Sequence, residues 1–332
     1  MKRIFLSIAF VMIAAGLWAQ PLVLHKQHSF AKRIPAGNFS GITQISQGLY
    51  AVVDDKQPDG FYLFQLDFRS KNGKLKKVTN KGFVASGLPN RDAEDIVYRP
   101  LSKTLFINGE ADSEVLEYLT DGQPSGRRLQ MPEIFKHIRT NQGIESLAYD
   151  AESDRIWLTT EHSLPADSSQ NLIRLQSFDA ATLFPLQQFA YRLEPPMAKK
   201  LGRAHVLGVS ALTALPDGRL LVLERECYLP KRKIGAWVMC RLFLVDTHST
   251  DSLTTSSQKM SDDTSCLKKH LLCQWRTRNL RLANYEGMCL GPLLPDGRQV
   301  VVMVSDSQNR YGSLLRDWFK TLVLPVSLQP VD

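Results

Sequence analysis

The sequence predicts an all-β fold, a single β-propeller of five blades, and three observations lead to this prediction. A hairpin pattern repeats five times, its turns have the chemistry that hairpins require, and successive copies begin 54, 51, 65 and 76 residues apart. This spacing is typical of four-stranded propeller blades joined by loops of variable length. A β-sandwich, which also has many short strands, is the alternative fold.

Each copy begins with an acidic or small polar residue, continues as an apolar strand, turns, and returns as a β-rich strand that ends in an acid. The copies begin at Ser40, Glu94, Glu145, Ser210 and Glu286. Their second strands end at Asp54-Asp55, Glu110, Glu161, Glu224 and Asp306. Two turns read Pro-Asp-Gly, in which proline fixes φ and glycine accepts a positive φ, as tight turns demand.

Further strand-like segments follow the hairpins and supply the outer half of each blade. The third strands are predicted at residues 60–68, 114–120, 171–178 and 240–246. The fourth strands are predicted at residues 77–85, 186–192 and 270–276. These segments alternate in polarity or are rich in β-branched and aromatic residues, as strands are.

The ring needs a closing device, because an open propeller would expose unpaired strand edges. Residues 22–30 have no hairpin partner and are predicted to form the outer strand of the last blade, beside residues 313–326. A sixth, degenerate blade is possible in the long gaps between the third, fourth and fifth copies. Residues 248–265 are rich in Ser, Thr and Asp without apolar spacing, which predicts a solvated loop insertion.

The first twenty residues have the pattern of a secretory signal peptide. Lys2 and Arg3 precede an apolar stretch, residues 4–17, and Trp18-Ala19-Gln20 follows. The sequence therefore predicts a signal peptide at residues 1–19, cleaved after Ala19, and a propeller over residues 20–332. An uncleaved anchor is the alternative. We expect a protein exported to the periplasm or beyond the cell, without stable membrane insertion, and a monomer is favoured.

The net charge is positive, but the placement of the basic residues along the chain argues against a nucleic-acid partner. The chain has 41 Lys and Arg against 33 Asp and Glu, a formal net charge of +8. The basic residues are dispersed, and the densest run is residues 231–233. Nucleic-acid binding requires a clustered basic surface, so we expect none.

All five cysteines lie in the last third of the chain, and export would permit disulfides. Cys227 could pair with Cys240, and Cys266 with Cys273, while Cys289 lies in an apolar strand pattern typical of a buried thiol. The pairing stays open because geometry decides it. No CxxC pair is present, which gives a zinc site little support.

The repeat predicts an acidic rim. In a meander blade the start of the first strand and the end of the second lie at the same end of the channel, and most residues at these positions are acids. Hard carboxylate oxygens suit Ca²⁺, so we predict a calcium site on this rim. Its predicted ligands are Asp54, Glu94, Glu145, Glu161, Glu224, Glu286 and Asp306. Alternatively, these acids pair with arginines or cap strand ends in water.

Basic residues in the same rim loops are candidates for binding an anionic substrate. They are Arg91, Arg203, His205, Arg225 and Arg310. Other catalytic motifs are missing: Gly208-Val209-Ser210 is only half of a nucleophile elbow, and the sequence has no HExxH and no phosphate-binding glycine loop.

Four motifs resemble the phytase-like family described as "esterase-like activity of phytase", and the resemblance extends over residues 37–324. They are Asp92-Ala-Glu94-Asp-Ile, Asn141-Gln-Gly-Ile-Glu145-Ser, Asn284-Tyr-Glu286-Gly-Met and Ser305-Asp306-Ser-Gln-Asn309. The resemblance implies an exported bacterial propeller that hydrolyses phosphate or carboxyl esters. Glu94, Glu145, Glu286 and Asp306 match the family positions, whereas Ser40 and Ser210 depart from the acidic pattern.

The leading hypothesis is a metal-dependent hydrolase of phosphate or carboxyl esters, with Glu94, Glu145 or Glu286 as general base. The sequence does not choose among these three acids. Two alternatives stay open: a non-catalytic binding platform with a structural calcium ion, and a calcium propeller of the lactonase type, which would share the architecture but act on lactones.

Overall fold

A computed structural model describes residues 21–138, 143–200, 202–232, 234–255, 258–313 and 315–328, which form a five-bladed β-propeller. The predicted signal peptide and its cleavage point at Ala19 lie outside these residues, as do the first two residues of the Asn141 motif. Within the described ranges, no helix has the length and apolar character needed to cross a bilayer.

Two short strands, β1 (Val23–Leu24) and β2 (His28–Ser29), precede the first blade. Four antiparallel four-stranded blades follow, each numbered outward from the axis in chain order. Blade 1 consists of β3 (Phe39–Ser46), β4 (Leu49–Asp54), β5 (Gly60–Phe68) and β6 (Leu75–Ala85). Blade 2 consists of β7 (Ala93–Arg99), β8 (Thr104–Gly109), β9 (Glu114–Leu119) and β10 (Pro124–Arg128). Blade 3 consists of β11 (Ile144–Asp150), β12 (Arg155–Thr160), β13 (Leu172–Asp179) and β14 (Pro185–Arg192). Blade 4 consists of β15 (Ala204–Ala214), β16 (Leu220–Leu229), β17 (Trp237–Val245) and β18 (Lys269–Arg278).

The fifth blade closes the ring as the sequence predicts. It consists of β19 (Asn284–Leu293), β20 (Gln299–Asp306) and β21 (Trp318–Leu324). Both N-terminal strands pair antiparallel with β21, Val23 opposite Val323 and His28 opposite Phe319. The described residues contain five sheets, so the possible sixth blade is not found. Short 3₁₀ turns lie at Glu133–His137, Asn279–Arg281 and Tyr311–Ser313.

The five inner strands share one irregularity, a shift of register at the end of the channel where four of them begin. In β3, Phe39 pairs with Asp54 and Gly41 with Val53, so Ser40 is the extra residue of a β-bulge. The register shifts at the equivalent point of the other four inner strands. The bulged residues are Ser40, Glu94, Glu145, Ser210 and Glu286. A β-bulge leaves its extra residue unpaired and changes the direction in which the side chain of that residue points.

The hydrophobic core lies between neighbouring blades, where side chains from facing sheets interdigitate. Phe39, Tyr50 and Phe64 of blade 1 are fully buried and pack with Val302 and Phe319 of blade 5. Each inner strand contacts the next one around the ring, and β19 contacts β3. This continuous packing holds the ends of the inner strands at fixed positions around one axis.

The sequence predicts that residues 248–265 form a solvated loop, but part of this insertion is buried. Met260 is fully buried with Leu172 and Ala190 of blade 3. Its backbone N–H donates to Asp167 Oδ1 at 2.8 Å. Arg174 donates to the carbonyl of Gln258 at 2.7 Å. One buried methionine and a buried arginine therefore anchor a segment whose composition is that of a loop.

All five cysteines are free thiols, and the strand register explains why the possible disulfides do not form. Cys227 and Cys240 lie on neighbouring strands, but Cys227 pairs with Val238 and Cys240 with Arg225. Cys266 forms an isolated backbone β-bridge with Ala190 of blade 3, whereas Cys273 pairs with Leu242 within blade 4. Cys289 is buried, as the sequence predicts.

Candidate functional site

The bulged residues and the ends of the second strands meet at one mouth of the propeller channel. In each blade, the residue just before the bulge pairs with a residue of the second strand, and the next residue of that strand is Asp55, Glu110, Glu161, Arg225 or Asp306 in blades 1 to 5. Together with the bulged glutamates, these side chains form what we call the acidic mouth: seven acids and one arginine. Its members are Asp55, Glu94, Glu110, Glu145, Glu161, Arg225, Glu286 and Asp306.

Arg225 is the hub of the acidic mouth. It ion-pairs with Glu161 of blade 3 and, at 2.6 Å, with Glu286 of blade 5, and Glu145 lies 3.7 Å away. Its Nη1 also donates to Asn284 Oδ1 at 2.8 Å. The side chain is buried, and its Nε has no hydrogen-bond partner within the described part of the chain. One arginine thus compensates three glutamates from two blades and keeps a free donor.

The remaining negative charge shifts the pKa values of the mouth. Burial, and then the charges of neighbouring acids, raise the pKa of Glu94, Glu145 and Glu286 well above the usual range. Burial also raises the pKa of Asp306 to about 6. In Glu161 burial opposes the charged form, but Arg225 and His162 outweigh it and lower the pKa. The mouth therefore favours protonation or a bound cation.

Two predicted metal ligands lie outside this group. Glu224 is fully buried and accepts hydrogen bonds from Tyr191 at 2.8 Å and from Lys269 at 2.7 Å. Asp54 holds the position equivalent to Glu224, one residue before the mouth, and accepts from the backbone N–H of Lys56. Because successive side chains of a strand point to opposite faces, Asp54 and Glu224 each lie one residue away from the mouth residue of their strand, Asp55 and Arg225.

The predicted basic residues separate into one mouth residue and four that lie elsewhere. Arg91 is buried and binds Asp112 at 2.6 Å, and Arg310 binds Asp317. His205 Nε2 lies 3.0 Å from Glu226 Oε1. Arg203 lines a neighbouring cavity. Of the five, only Arg225 is placed among the acids of the mouth.

One group of three acids, two of them in the mouth and Asp92 beside it, could hold a metal ion. Ligand oxygens of Asp55, Asp92 and Glu94 all lie within 4.8 Å of one another. Asp55 Oδ1 is buried with no hydrogen-bond partner among the described residues. Lys56 lies against this group, 2.9 Å from Asp55 and 2.8 Å from Asp92, and its side chain is 60% exposed. An orphaned carboxylate oxygen and an all-oxygen donor set fit Ca²⁺.

Sequence reasoning identified Asp55 and Glu110 as acidic strand ends but left them, and Asp92, out of the predicted ligand set, although the sequence carries a spacing that aligns the mouth residues. In blades 1 to 4 the mouth residue of the second strand follows the bulged residue by 15 or 16 positions. This count selects Asp55, Glu110, Glu161 and Arg225. Asp92 has no such signal, because it precedes β7 in a loop and has a positive φ of 57°.

Comparisons with solved structures give several chains of low identity. A streptogramin B lyase is similar over 91% of this chain and 97% of that chain, with 12% identity and a TM-score of 0.38. A chain of a nidogen–laminin complex is similar over 90% of this chain and 88% of that chain, with 10% identity and a TM-score of 0.38. These TM-scores carry no argument about function. No protein with a curated description matches the sequence.

A family model gives the specific result. The model described as Phytase-like, "esterase-like activity of phytase", matches residues 34–308. The family-like positions predicted from the motifs, Glu94, Glu145, Glu286 and Asp306, all lie in the acidic mouth. Because the match spans most of the chain and the fold is a five-bladed propeller, this protein belongs to the Phytase-like family.

Proposed function

We propose that this chain is an exported, Ca²⁺-dependent hydrolase of phosphate or carboxyl esters, with its active site at the acidic mouth. The observation that carries the proposal is the collection of seven carboxylates around one buried arginine. Burying like charges is costly, so an arrangement of this kind is typical of a site that binds a cation or moves a proton.

Asp55, Asp92 and Glu94 would hold the calcium ion. Lys56 would be displaced at small cost, because exposed ion pairs contribute at most about 1 kcal/mol. When bound, the ion would polarise the ester or phosphoryl oxygen and lower the pKa of an attacking water. The orphaned Asp55 Oδ1 supports this assignment, since a buried carboxylate oxygen without a partner is destabilising.

Glu145 is our choice for the general base. Glu145 is the bulged residue of β11, and β11 contacts β7, which carries the proposed calcium ligand Glu94 at its own bulge. Its own pKa is raised, as a base that accepts a proton near neutral pH requires. Glu286 holds Arg225 at 2.6 Å, and the positive charge of this guanidinium would stabilise the oxygen that gains charge during ester cleavage.

The test uses purified protein, an aryl phosphate and an aryl acetate. We expect turnover that EGTA abolishes and Ca²⁺ restores. Glu145→Gln should lower kcat by about 100-fold or more, because general-base catalysis contributes at least that factor. Glu152→Gln, at an exposed turn position, is the matched control and should keep full activity. Full activity after Glu145→Gln combined with Glu286→Gln would refute this site.

The second candidate, a non-catalytic propeller with a structural calcium ion, is favoured by one observation. Arg225 already neutralises part of the mouth through Glu161 and Glu286. A rise in melting temperature with Ca²⁺, with no turnover of either ester, would support this alternative. Turnover of lactones in place of both esters would instead assign the lactonase-type activity.

A further inference from the structure

A second cavity, of about 680 Å³, lies beside the acidic mouth between blades 4 and 5. Its walls come from the end of β16 and the loop that follows, from the 3₁₀ turn at Asn279–Arg281 and from the loop after β20. Asn284 and Asp306 line this cavity. Asn284 binds Arg225, and Asp306 belongs to the mouth, so the cavity and the mouth share a wall.

The lining of this cavity is mainly apolar. Leu229, Val238 and Leu282 line it. Ile234 and Leu280 stand at its edge and are 86% and 67% exposed. Large apolar side chains collected around one concave site are typical of a binding surface, whereas isolated ones are ordinary. The volume falls within the range of about 300–1,000 Å³ for small-molecule sites.

The electrostatics of the mouth restrict what can enter from this side. Seven acids surround Arg225, and three of them already occupy its guanidinium. A ligand with several negative charges would therefore be repelled, even with one calcium ion bound. An uncharged ester would meet no such barrier, and its apolar part could enter the adjoining cavity.

We propose that this cavity binds the acyl chain of an uncharged carboxylic ester while the ester group lies at the acidic mouth. This inference rests on the proposed function and narrows its substrate class to carboxylic esters with an apolar acyl chain. In the reaction, water oxygen bonds to the acyl carbon and the bond from that carbon to the alcohol oxygen breaks. Glu145 takes the proton of the water and returns it to the leaving alcohol, so atoms and charge balance.

The kinetic test compares 4-nitrophenyl octanoate with 4-nitrophenyl acetate. We expect the natural protein to prefer the octanoate by at least about tenfold in kcat/KM, since buried methylene groups discriminate strongly. The double variant Ile234→Ser, Leu280→Ser should lower this preference by about tenfold. Both side chains are exposed, so the fold does not depend on them. The control is Leu101→Ser in the β7–β8 turn, at the opposite end of the blade and 72% exposed, which should keep the preference.

A binding test separates this inference from the proposed function. N-methyloctanamide and N-methylacetamide are uncharged analogues, and calorimetry measures their affinity without any turnover. Tighter binding of the octanamide, weakened in the double variant but not in Leu101→Ser, supports the cavity even if no ester is hydrolysed. Ester turnover with equal rates for acetate and octanoate, or equal binding of the two amides, would overturn the inference and leave the hydrolase proposal standing.

Discussion

Blades 3 and 4 use the same backbone device to present opposite charges. Blade 3 places Glu145 at its bulge and Glu161 opposite it on the second strand's side of the mouth, whereas blade 4 places Ser210 at its bulge and Arg225, within β16, at the position equivalent to Glu161. The bulge is therefore a property of the fold, and the residue on it is a choice of the sequence. By departing from the acidic pattern, blade 4 supplies the cation that lets its neighbours' glutamates be buried.

The two blades also differ in the length of their inner strands. The inner hairpin of blade 3 has strands of 7 and 6 residues, whereas that of blade 4 has strands of 11 and 10 residues. The additional residues of β15 and β16 extend past the mouth, and the end of β16 forms a wall of the apolar cavity. One blade thus contributes both the positive charge and the apolar surface of the candidate site.

The largest expected effect comes from removing the charge of blade 4. Arg225→Met should lower the free energy of unfolding at pH 8 by about 3–5 kcal/mol, because it leaves buried carboxylates without their partner. Urea unfolding measures this. Arg219→Met, at the surface pair with Asp217, should cost less than about 1 kcal/mol.

The same variant has a pH signature. Arg225 lowers the pKa of Glu161, so their pairing stabilises the protein above the unfolded pKa of that acid and is lost as pH falls through its folded pKa. The cost of Arg225→Met should shrink at pH 4. An equal loss of stability at pH 4 and pH 8 would show that the side chain acts by packing alone.

The next largest effect is the stabilisation expected from Ca²⁺, whose proposed ligands come from blades 1 and 2. At a Ca²⁺ concentration 100 times the Kd, the ion should stabilise the protein by about 2.7 kcal/mol. Asp92→Asn should remove most of this gain, and asparagine tolerates the positive φ of this position. Asp121→Asn, at an exposed turn, is the control and should keep the full gain. Stabilisation that Asp92→Asn leaves intact would move the ion elsewhere.

A smaller change in stability is expected at Glu94, an acid of the mouth that is not among the three paired with Arg225 of blade 4. Burial and then Glu145 raise the pKa of Glu94, so in the calcium-free protein this acid reduces stability as pH rises above its unfolded pKa. Glu94→Gln should raise the melting temperature at pH 8 by about 1–2 °C, as about 1 kcal/mol does in a chain of this size, and change nothing at pH 4. Unchanged melting at both pH values would contradict the raised pKa.

The smallest effect compares the two serines that replace acids at the bulges. Ser40 Oγ donates to the carbonyl of Ala93 at 2.6 Å, whereas Ser210 Oγ reaches the carbonyl of Leu223 only at 3.5 Å. Ser40→Ala should cost about 1 kcal/mol, and Ser210→Ala clearly less. Denaturant midpoints of the two variants decide this, and equal losses would show that the shorter hydrogen bond of Ser40 contributes no more stability than the long contact of Ser210.

Much of the fold follows from local sequence. The predicted third strand at residues 60–68 agrees with β5, and the pairing of residues 22–30 with the last blade is confirmed. Strand positions follow from alternating polarity, turn residues and repeat spacing, and all three can be read from residues that are close together in the chain. The burial of Met260 could not be predicted in this way, because its partners lie on blade 3.

The candidate site divides along the same line. The sequence by itself determined that acids recur at blade starts and ends, and so it identified Glu94, Glu145, Glu161, Glu286 and Asp306. Only the tertiary structure decided that Glu224 faces Tyr191 and Lys269 while Arg225 faces the mouth. The physical reason is strand register: a shift of one residue exchanges the two faces of a strand, and long-range packing around the ring fixes that register.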